Sequence, residues 1–376
     1  MNPYDFVPLD IEHPPERRRP IWHNVLAPNN AHPAKLYSGS LYLYLEAETP
    51  LFIRDANSPV QDPRVPGEHI RNKAGEQIIP GSSLKGLLRS VVETLCRGCL
   101  TVINREYPVP AGFAPCENNQ SLCIACRLFG MMQRQRQAEV FLGKVDIGDA
   151  LVYEDGLYFY EPIYTAVLDA PKPRHRAFYF DQQGYIAGRK FYFHHAGDPS
   201  TVNGLIEIRN KPGEYRNQHI KPLDVGTEFS ARLDFTSLEA DEFAALMLAI
   251  ALQPDMRHKI GYGKPIGLGS IRIAASELHL VDYAARYTAF RAGRGMSKYG
   301  VDEITNLLDG QMAAFDDPRV HQQWQRFSAL PSLPQLYQIW QWPPDQSVEY
   351  AYPSQRWFKE HSQAPIAATR DLYRGD

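Results

Sequence analysis

Five cysteines set the first constraint on this chain. They stand at Cys96, Cys99, Cys116, Cys123 and Cys126, within one 31-residue window, and none occurs elsewhere in the 376 residues. The spacing reads C-x2-C, sixteen residues, then C-x6-C-x2-C. Two C-x2-C pairs bracketing a loop suit a tetrahedral thiolate zinc site. Such a site supplies folding energy that a short loop cannot draw from a core of its own. Four of the five suffice. Cys123, Cys126 and Cys116 are taken first. The choice between Cys96 and Cys99 stays open, because Cys99 continues the apolar phase of the preceding helix and a nearby histidine could replace either. Disulfides are not expected, since the chain reads as soluble and cytoplasmic. No apolar run reaches the ~18 residues of a membrane helix, and the opening MNPYDFVPLD lacks a charged-then-apolar leader.

Regular structure is expected from about residue 36. Leu41, Leu43 and Leu45 alternate with Tyr42, Tyr44 and Glu46, the period of a strand. A polar loop follows, and then a helix in IPGSSLKGLLRSVVETL, where Leu84, Leu87, Leu88, Val91, Val92 and Leu95 recur at helical spacing. Ser82 or Ser83 is its expected N-cap. Residues 138–153 read as a strand. Alternation returns over Phe229, Ala231, Leu233 and Phe235, and a capping box of Thr236 with Glu239 opens a helix carrying Phe243, Leu246, Met247 and Ile250. A last strand spans Ser270–Leu280. The order strand-helix-strand-strand-helix-strand is the ferredoxin-like pattern of an α+β fold. Insertions fall at about 96–137 (the cysteines) and 154–225 (aromatic and Gly/Pro-punctuated). Residues 1–35 form a Pro-rich arm with Arg17, Arg18 and Arg19. Residues 281–376 form an appended region with helices near 301–314 and 317–328 and four of the five tryptophans.

Charge narrows the function. The 40 Lys+Arg are outnumbered by 43 Asp+Glu, a net −3, so any nucleic-acid contact must rest on local positive charge. The segment GYGKPIGLG holds Gly261, Gly263, Gly267 and Gly269 around Lys264, with His258 and Lys259 just ahead. A helix precedes it and a strand follows, the reverse of a dinucleotide fingerprint, and no G-K-[ST] stands at P-loop spacing. What remains is a turn whose backbone N–H groups can approach phosphates. Basic and aromatic residues interleave in GRKFYFHH, which includes Arg189 and Lys190.

IPGSSLKGLLR (Ile79–Arg89), CIACRLFG (Cys123–Gly130) and GYGKPIGLGSI, together with NPYDFVPL and TPLFIR, resemble the RAMP superfamily of CRISPR-associated proteins. The nearest pattern is the Cas-seven-type backbone subunit of type III RNA-guided effector complexes. The resemblance implies a modified ferredoxin-like (RRM-like) palm with a thumb insertion and structural zinc among the cysteines. It implies CRISPR RNA, complementary target RNA and other effector subunits, including copies of itself, as partners, with no membrane. RNA contacts are then expected from Asn57, Ser82, Ser83, Lys85, Arg89, Arg189, Lys190, His258, Lys259, Gly261, Gly263, Lys264 and Gly267.

In target-cleaving members a loop aspartate opens an Asp-x-Pro-Val segment and serves metal-dependent cleavage. This chain has Asn57-Ser58-Pro59-Val60 there, so Asn57 stands at the aspartate's position. Asparagine binds hard cations poorly compared with a carboxylate. Asp55 or Asp62 could hold Mg2+ or another divalent ion in its stead. Two rival readings accompany the first: a RAMP endoribonuclease that processes CRISPR precursor RNA, with His194 and His195 as candidate general bases, and a zinc-stabilised assembly protein that touches no RNA.

Overall fold

A computed structural model describes residues 1–22, 35–55, 65–101, 107–133, 138–166, 168, 176–195, 217–287, 294–353 and 355–369. Its elements in chain order are β1 (Tyr4–Val7), β2 (Tyr37–Ala47), β3 (Ile78–Ile79), α1 (Gly81–Leu95), α2 (Ile124–Phe129), β4 (Val145–Ile147), β5 (Ala150–Val152) and β6 (Arg189–Tyr192). There follow β7 (Glu228–Leu238), α3 (Ala240–Ala251), β8 (His258–Lys259), β9 (Ser270–Val281), β10 (Met296–Tyr299), α4 (Val301–Asp309), α5 (Pro318–Ser328) and α6 (Ser332–Trp340). Short pairs and single turns complete the set.

The central sheet has eight strands in the order β8-β9-β2-β7-β5-β3, with β10 on β9 and β4 on β7. Every pairing in it is antiparallel. Taking β2, β4/β5, β7 and β9 as the four palm strands, the order is fourth-first-third-second. Antiparallel neighbours in that order, with α1 and α3 as the crossovers, are the ferredoxin-like arrangement that the alternation in the sequence implies. Leu41, Leu43, Leu45, Phe229, Leu233 and Phe235 face the helices and are buried. Leu84, Leu88, Val91, Val92 and Leu95 of α1 meet them, as do Phe243, Leu246, Met247 and Ile250 of α3. The other sheet face carries Tyr42, Tyr44, Glu46, Arg232 and Arg272, and its charges are paired: Arg272 with Glu46 at 2.6 Å and Arg232 with Asp234 at 2.8 Å.

Several local expectations shift. No serine caps α1. Pro80 stands at the N-cap, and the Gly81 N–H donates to Asp149 Oδ1 at 2.8 Å, so a carboxylate from the β4–β5 turn already faces the helix's positive end. The strand expected over 138–153 is broken into Val140–Leu142, β4 and β5, the first turning back to pair with Gly130–Met132. β7 runs on to Leu238, which moves the capping box of α3 to Glu239 and Glu242. The appended region holds α4 and α5 and, beyond those two expected helices, α6 and shorter helices at Tyr283–Tyr287 and Gln355–Glu360. It covers the outer side of α3: Tyr37 stacks on Phe243 with centroids 4.7 Å apart, and its hydroxyl donates to Asp317 Oδ2 at 2.5 Å. This second cover explains why α3 is buried nearly all round. No described helix is long and apolar enough to cross a membrane.

Beneath α3 lies a buried ionic cluster. Glu242 accepts from Lys144 Nζ at 2.8 Å, Arg127 Nη1 at 2.8 Å and the Glu239 N–H at 2.9 Å. The Lys144 and Glu242 side chains are fully buried. Removing one member of such a cluster strands the others without solvent. Glu242→Leu is therefore expected to lower folding stability by about 3–5 kcal/mol in urea denaturation. An unchanged midpoint would contradict the cluster.

Candidate functional site

The cysteine window closes on itself. Cys99, Cys116, Cys123 and Cys126 are buried, and their sulfurs all lie within 4.8 Å of one another. A tetrahedral zinc–thiolate centre with bonds of about 2.3 Å places its sulfurs ~3.8 Å apart, and Cys99 Sγ and Cys126 Sγ stand at 3.6 Å. The thiolates also receive the backbone donors that such centres need. The Cys99 N–H points to Cys123 Sγ at 3.4 Å and the Cys123 N–H to Cys116 Sγ at 3.3 Å. The four sulfurs are close enough to share hydrogen bonds among themselves, which pull Cys116 and Cys123 down and push Cys99 and Cys126 up. This set can hold a metal such as zinc. Cys96 lies outside it, buried at the C-cap of α1, which answers the alternative left open by the spacing.

Two arginines expected on RNA instead brace this centre. Arg89 donates Nη2 to Cys126 Sγ at 3.3 Å, Nη1 to Gly130 O at 2.9 Å and Nε to Glu93 Oε1 at 2.9 Å. Arg189 donates Nη1 to Glu93 Oε2 at 3.0 Å and Nη2 to the carbonyls of Gly98 and Cys99. Glu93 thus joins α1, the cysteine loops and β6. Their helical and strand positions gave no sign of this, because the partners lie across the fold.

A groove of roughly 530 Å³ lies between α1, β6 and the glycine turn. It brings together three segments that the sequence singles out. From α1 come Ser83, Gly86, Leu87 and Ser90; from β6 Lys190, Phe191 and Tyr192; from the glycine turn Lys259, Ile260, Gly261, Tyr262 and Lys264. Ile53, Arg54 and Trp340 complete the lining. Four cations and, among the described residues, no carboxylate line it. Lys190 Nζ rests 3.6 Å from the Tyr4 ring centroid and 4.7 Å from that of Tyr192, and Lys264 Nζ lies 5.9 Å from the Tyr192 ring. Burial, with Lys264 nearby, pushes the Lys190 ammonium down to about 8 and Lys259 down to about 7. Burial lowers Lys264 too. Burial and the closeness of the lysines to one another account for these shifts.

The glycines make the turn possible. Gly261 has φ 87°, and a Cβ there would lie 2.5 Å from Phe52 O. At Gly269 (φ 81°) a Cβ would lie 1.8 Å from Ile260 O. Gly263 and Gly267 are left-handed and bracket the single turn that carries Lys264. Lys259 is buried and donates to Gly267 O at 3.3 Å and Ser270 Oγ at 3.2 Å, so it contributes field rather than contact.

Other expected residues fall elsewhere. His258 is buried, with Nε2 2.8 Å from Ala249 O, and burial pushes it down to about 4. Ser82 is exposed at the start of α1, and half-buried Lys85 feels Asp146 and Arg89. His194 uses both ring nitrogens, against Ser270 Oγ and Arg257 O, and His195 is pushed down by burial to about 3. Neither has the near-neutral value that suits a general base. Asp55 follows the groove residue Arg54. Asn57 and Asp62 lie outside the described residues, as does much of the expected thumb; within 154–225 the strand β6 pairs with β1.

This geometry makes the metal testable. Metal analysis of the purified chain is expected to return about one zinc. Cys126→Ser is expected to abolish that content, and Cys96→Ala to leave it intact. Glu93→Gln, which loosens both bracing arginines, is expected to weaken zinc retention against a chelator by about 10–100-fold. Zinc lost on Cys96→Ala but kept on Cys126→Ser would contradict this ligand set.

A search of curated proteins finds no match to the chain. The family model of the RAMP superfamily matches residues 44–272, more than half of the chain. That span runs from the middle of β2 into β9 and contains the palm helices, the four-cysteine centre and the glycine turn. By that match and by its palm, the chain belongs to the RAMP superfamily, a membership that carries a CRISPR-associated, RNA-binding role.

Proposed function

We propose that this chain is a CRISPR RNA-binding backbone subunit of a type III-like effector complex. It holds guide RNA paired to complementary target RNA and assembles with other effector subunits, including copies of itself. One observation carries the reading: in a chain of net −3, Arg54, Lys190, Lys259 and Lys264 line one groove, and the described lining residues include no carboxylate. A polyanion supplies counter-charge to partly buried lysines, for which an ion pair is worth more than on the open surface. Phosphate contacts of this kind position a nucleic acid without reading its sequence, which suits a subunit whose specificity comes from base pairing. Zinc at the four cysteines has a structural part, fixing α1 and β6 as the two walls.

Cleavage of target RNA is the finer part of the proposal. Asp55, beside Arg54 at the groove, or Asp62 would hold Mg2+ or another divalent ion in place of the carboxylate that Asn57 lacks. Asp55→Ala and Asp62→Ala are expected to abolish divalent-dependent cleavage of a complementary target; wild-type rates in both would remove that part. Nothing in the geometry favours precursor processing by His194 or His195.

The binding reading is tested directly. Purified chain is expected to carry RNA of discrete length. Lys264→Gln and Lys190→Gln are each expected to weaken single-stranded RNA about tenfold across all sequences, and to flatten the dependence of log affinity on log salt by about 0.7. An unchanged slope in both contradicts the contacts. Proton linkage adds a second check. A bound polyanion restores the ammonium form, so affinity is expected to fall as pH rises through about 7 to 8. The RNA-free fold has the opposite sign. Unfolded lysines keep their protons to about pH 10, so above pH 7 the unfolded state binds more protons and stability rises with pH.

A further inference from the structure

The palm carries a second basic feature, at the end of β9 away from the groove and beyond residue 272, where the RAMP match stops. β9 leaves the glycine turn at Ser270 and ends at Val281, and its 12 residues span roughly 36–40 Å. The chain then turns outward and returns as β10, which pairs Met296 with Val281 and Tyr299 with Leu278. The neck of this projection is built. The Asp282 N–H donates to Gly295 O at 2.7 Å. Gly295 is left-handed at φ 69°, and a Cβ there would lie 2.5 Å from Asp282 O, so the close approach needs glycine. Beyond the neck Tyr283–Tyr287 forms a short helix, and Asp282 Oδ1 accepts from the Ala285 N–H at 3.0 Å.

The composition here reverses that of the whole chain. Residues 283–298 contain Arg286, Arg291, Arg294 and Lys298 and no Asp or Glu. Arg286, Arg294 and Lys298 are exposed, and none forms an ion pair among the described residues. The flanking acids are engaged or stand behind. Asp282 holds the Ala285 N–H, Glu277 meets His279 Nε2 at 2.8 Å, and Asp302 and Glu303 follow the end of β10 away from the neck. Tyr287 is 75% exposed, more than any other large apolar side chain among the described residues. Its ring lies within 11° of parallel to that of Tyr283, with centroids 6.1 Å apart.

We propose that this projection is a second RNA site, in which Arg286, Arg294 and Lys298 contact phosphates and a base stacks on Tyr287. Guanidinium groups beside an open ring supply the two contacts that bind a single strand without reading its sequence. An acidic protein surface matches the charge alone. The site shares no residue with the groove; that its polyanion is RNA rests on the function proposed above. A strand long enough to run the length of β9 meets both sites, and the second engagement then occurs at high effective concentration.

Two oligouridylates separate the sites: a tetramer, too short to run the length of β9, and a strand of about 30 residues. The double variant Arg286→Gln, Arg294→Gln is expected to weaken the long strand about 5–10-fold and to flatten its salt slope by about 1.4, leaving the tetramer unchanged. Tyr287→Ala is expected to weaken the long strand about tenfold with an unchanged slope. Wild-type affinity and slope in these variants, with Lys264→Gln still weakened for both lengths, overturns the projection and leaves the groove reading standing. Weakening in these variants, with Lys264→Gln and Lys190→Gln at wild-type affinity, keeps the projection and removes the groove. Intact RNA affinity with loss of self-association in sedimentation assigns the surface to a protein partner and overturns the proposal. Hydroxyl-radical footprinting of the wild-type chain needs no variant: the long strand is expected to protect Tyr287, and equal oxidation with and without it contradicts the stacking contact.

Discussion

Glu93 is the joint on which the functional half of the molecule depends. It is buried near the end of α1 and accepts from Arg89, Arg189 and Thr101. Through Arg89 it is tied to Cys126 and Gly130, and through Arg189 to the carbonyls of Gly98 and Cys99. The residue after Arg189 is the groove lysine Lys190, and the face of α1 one turn before Glu93 carries groove residues Leu87 and Ser90. One carboxylate thus ties together a helix, a strand and the cysteine loops. A buried carboxylate needs such partners, and losing one leaves an uncompensated charge, so the arrangement has no half-formed version.

Charge is partitioned by location more than by amount. On the open face of the sheet, arginines pair with Glu46 and Asp234, and Tyr44 donates to Glu228, so that face has little field to offer. The cluster under α3 is likewise neutralised from within. In the groove, Lys190, Lys259 and Lys264 converge with no carboxylate among the described lining residues, and burial with mutual repulsion lowers their proton affinities. A chain of net −3 can therefore bind a polyanion because its negative charge is spent elsewhere.

The palm was legible because its signals are local. Alternation over Leu41–Glu46 and Phe229–Phe235, and the helical stripe of Leu84–Leu95, each depend on which side of one element is buried. The glycine turn was legible because only glycine accepts its left-handed angles. Membership of the cysteine set was legible to within one residue, and three-dimensional closure chose Cys99 over Cys96. What stayed hidden depends on distant partners. Arg89 and Arg189 look the same in sequence whether they meet phosphate or Glu93. The α1 N-terminus finds its acceptor in Asp149, far along the chain. Trp340 reaches the groove only because residues 340–342 pair with 255–257.

On the proposed reading, RNA lies in the lysine-lined groove between α1, β6 and the glycine turn. Photocrosslinking with 4-thiouridine-substituted RNA, followed by mass spectrometric mapping on the intact chain, tests it most directly. The account predicts adducts at Tyr192, Tyr262 and Lys264. Adducts confined to Tyr42 and Tyr44 on the open sheet face would contradict it.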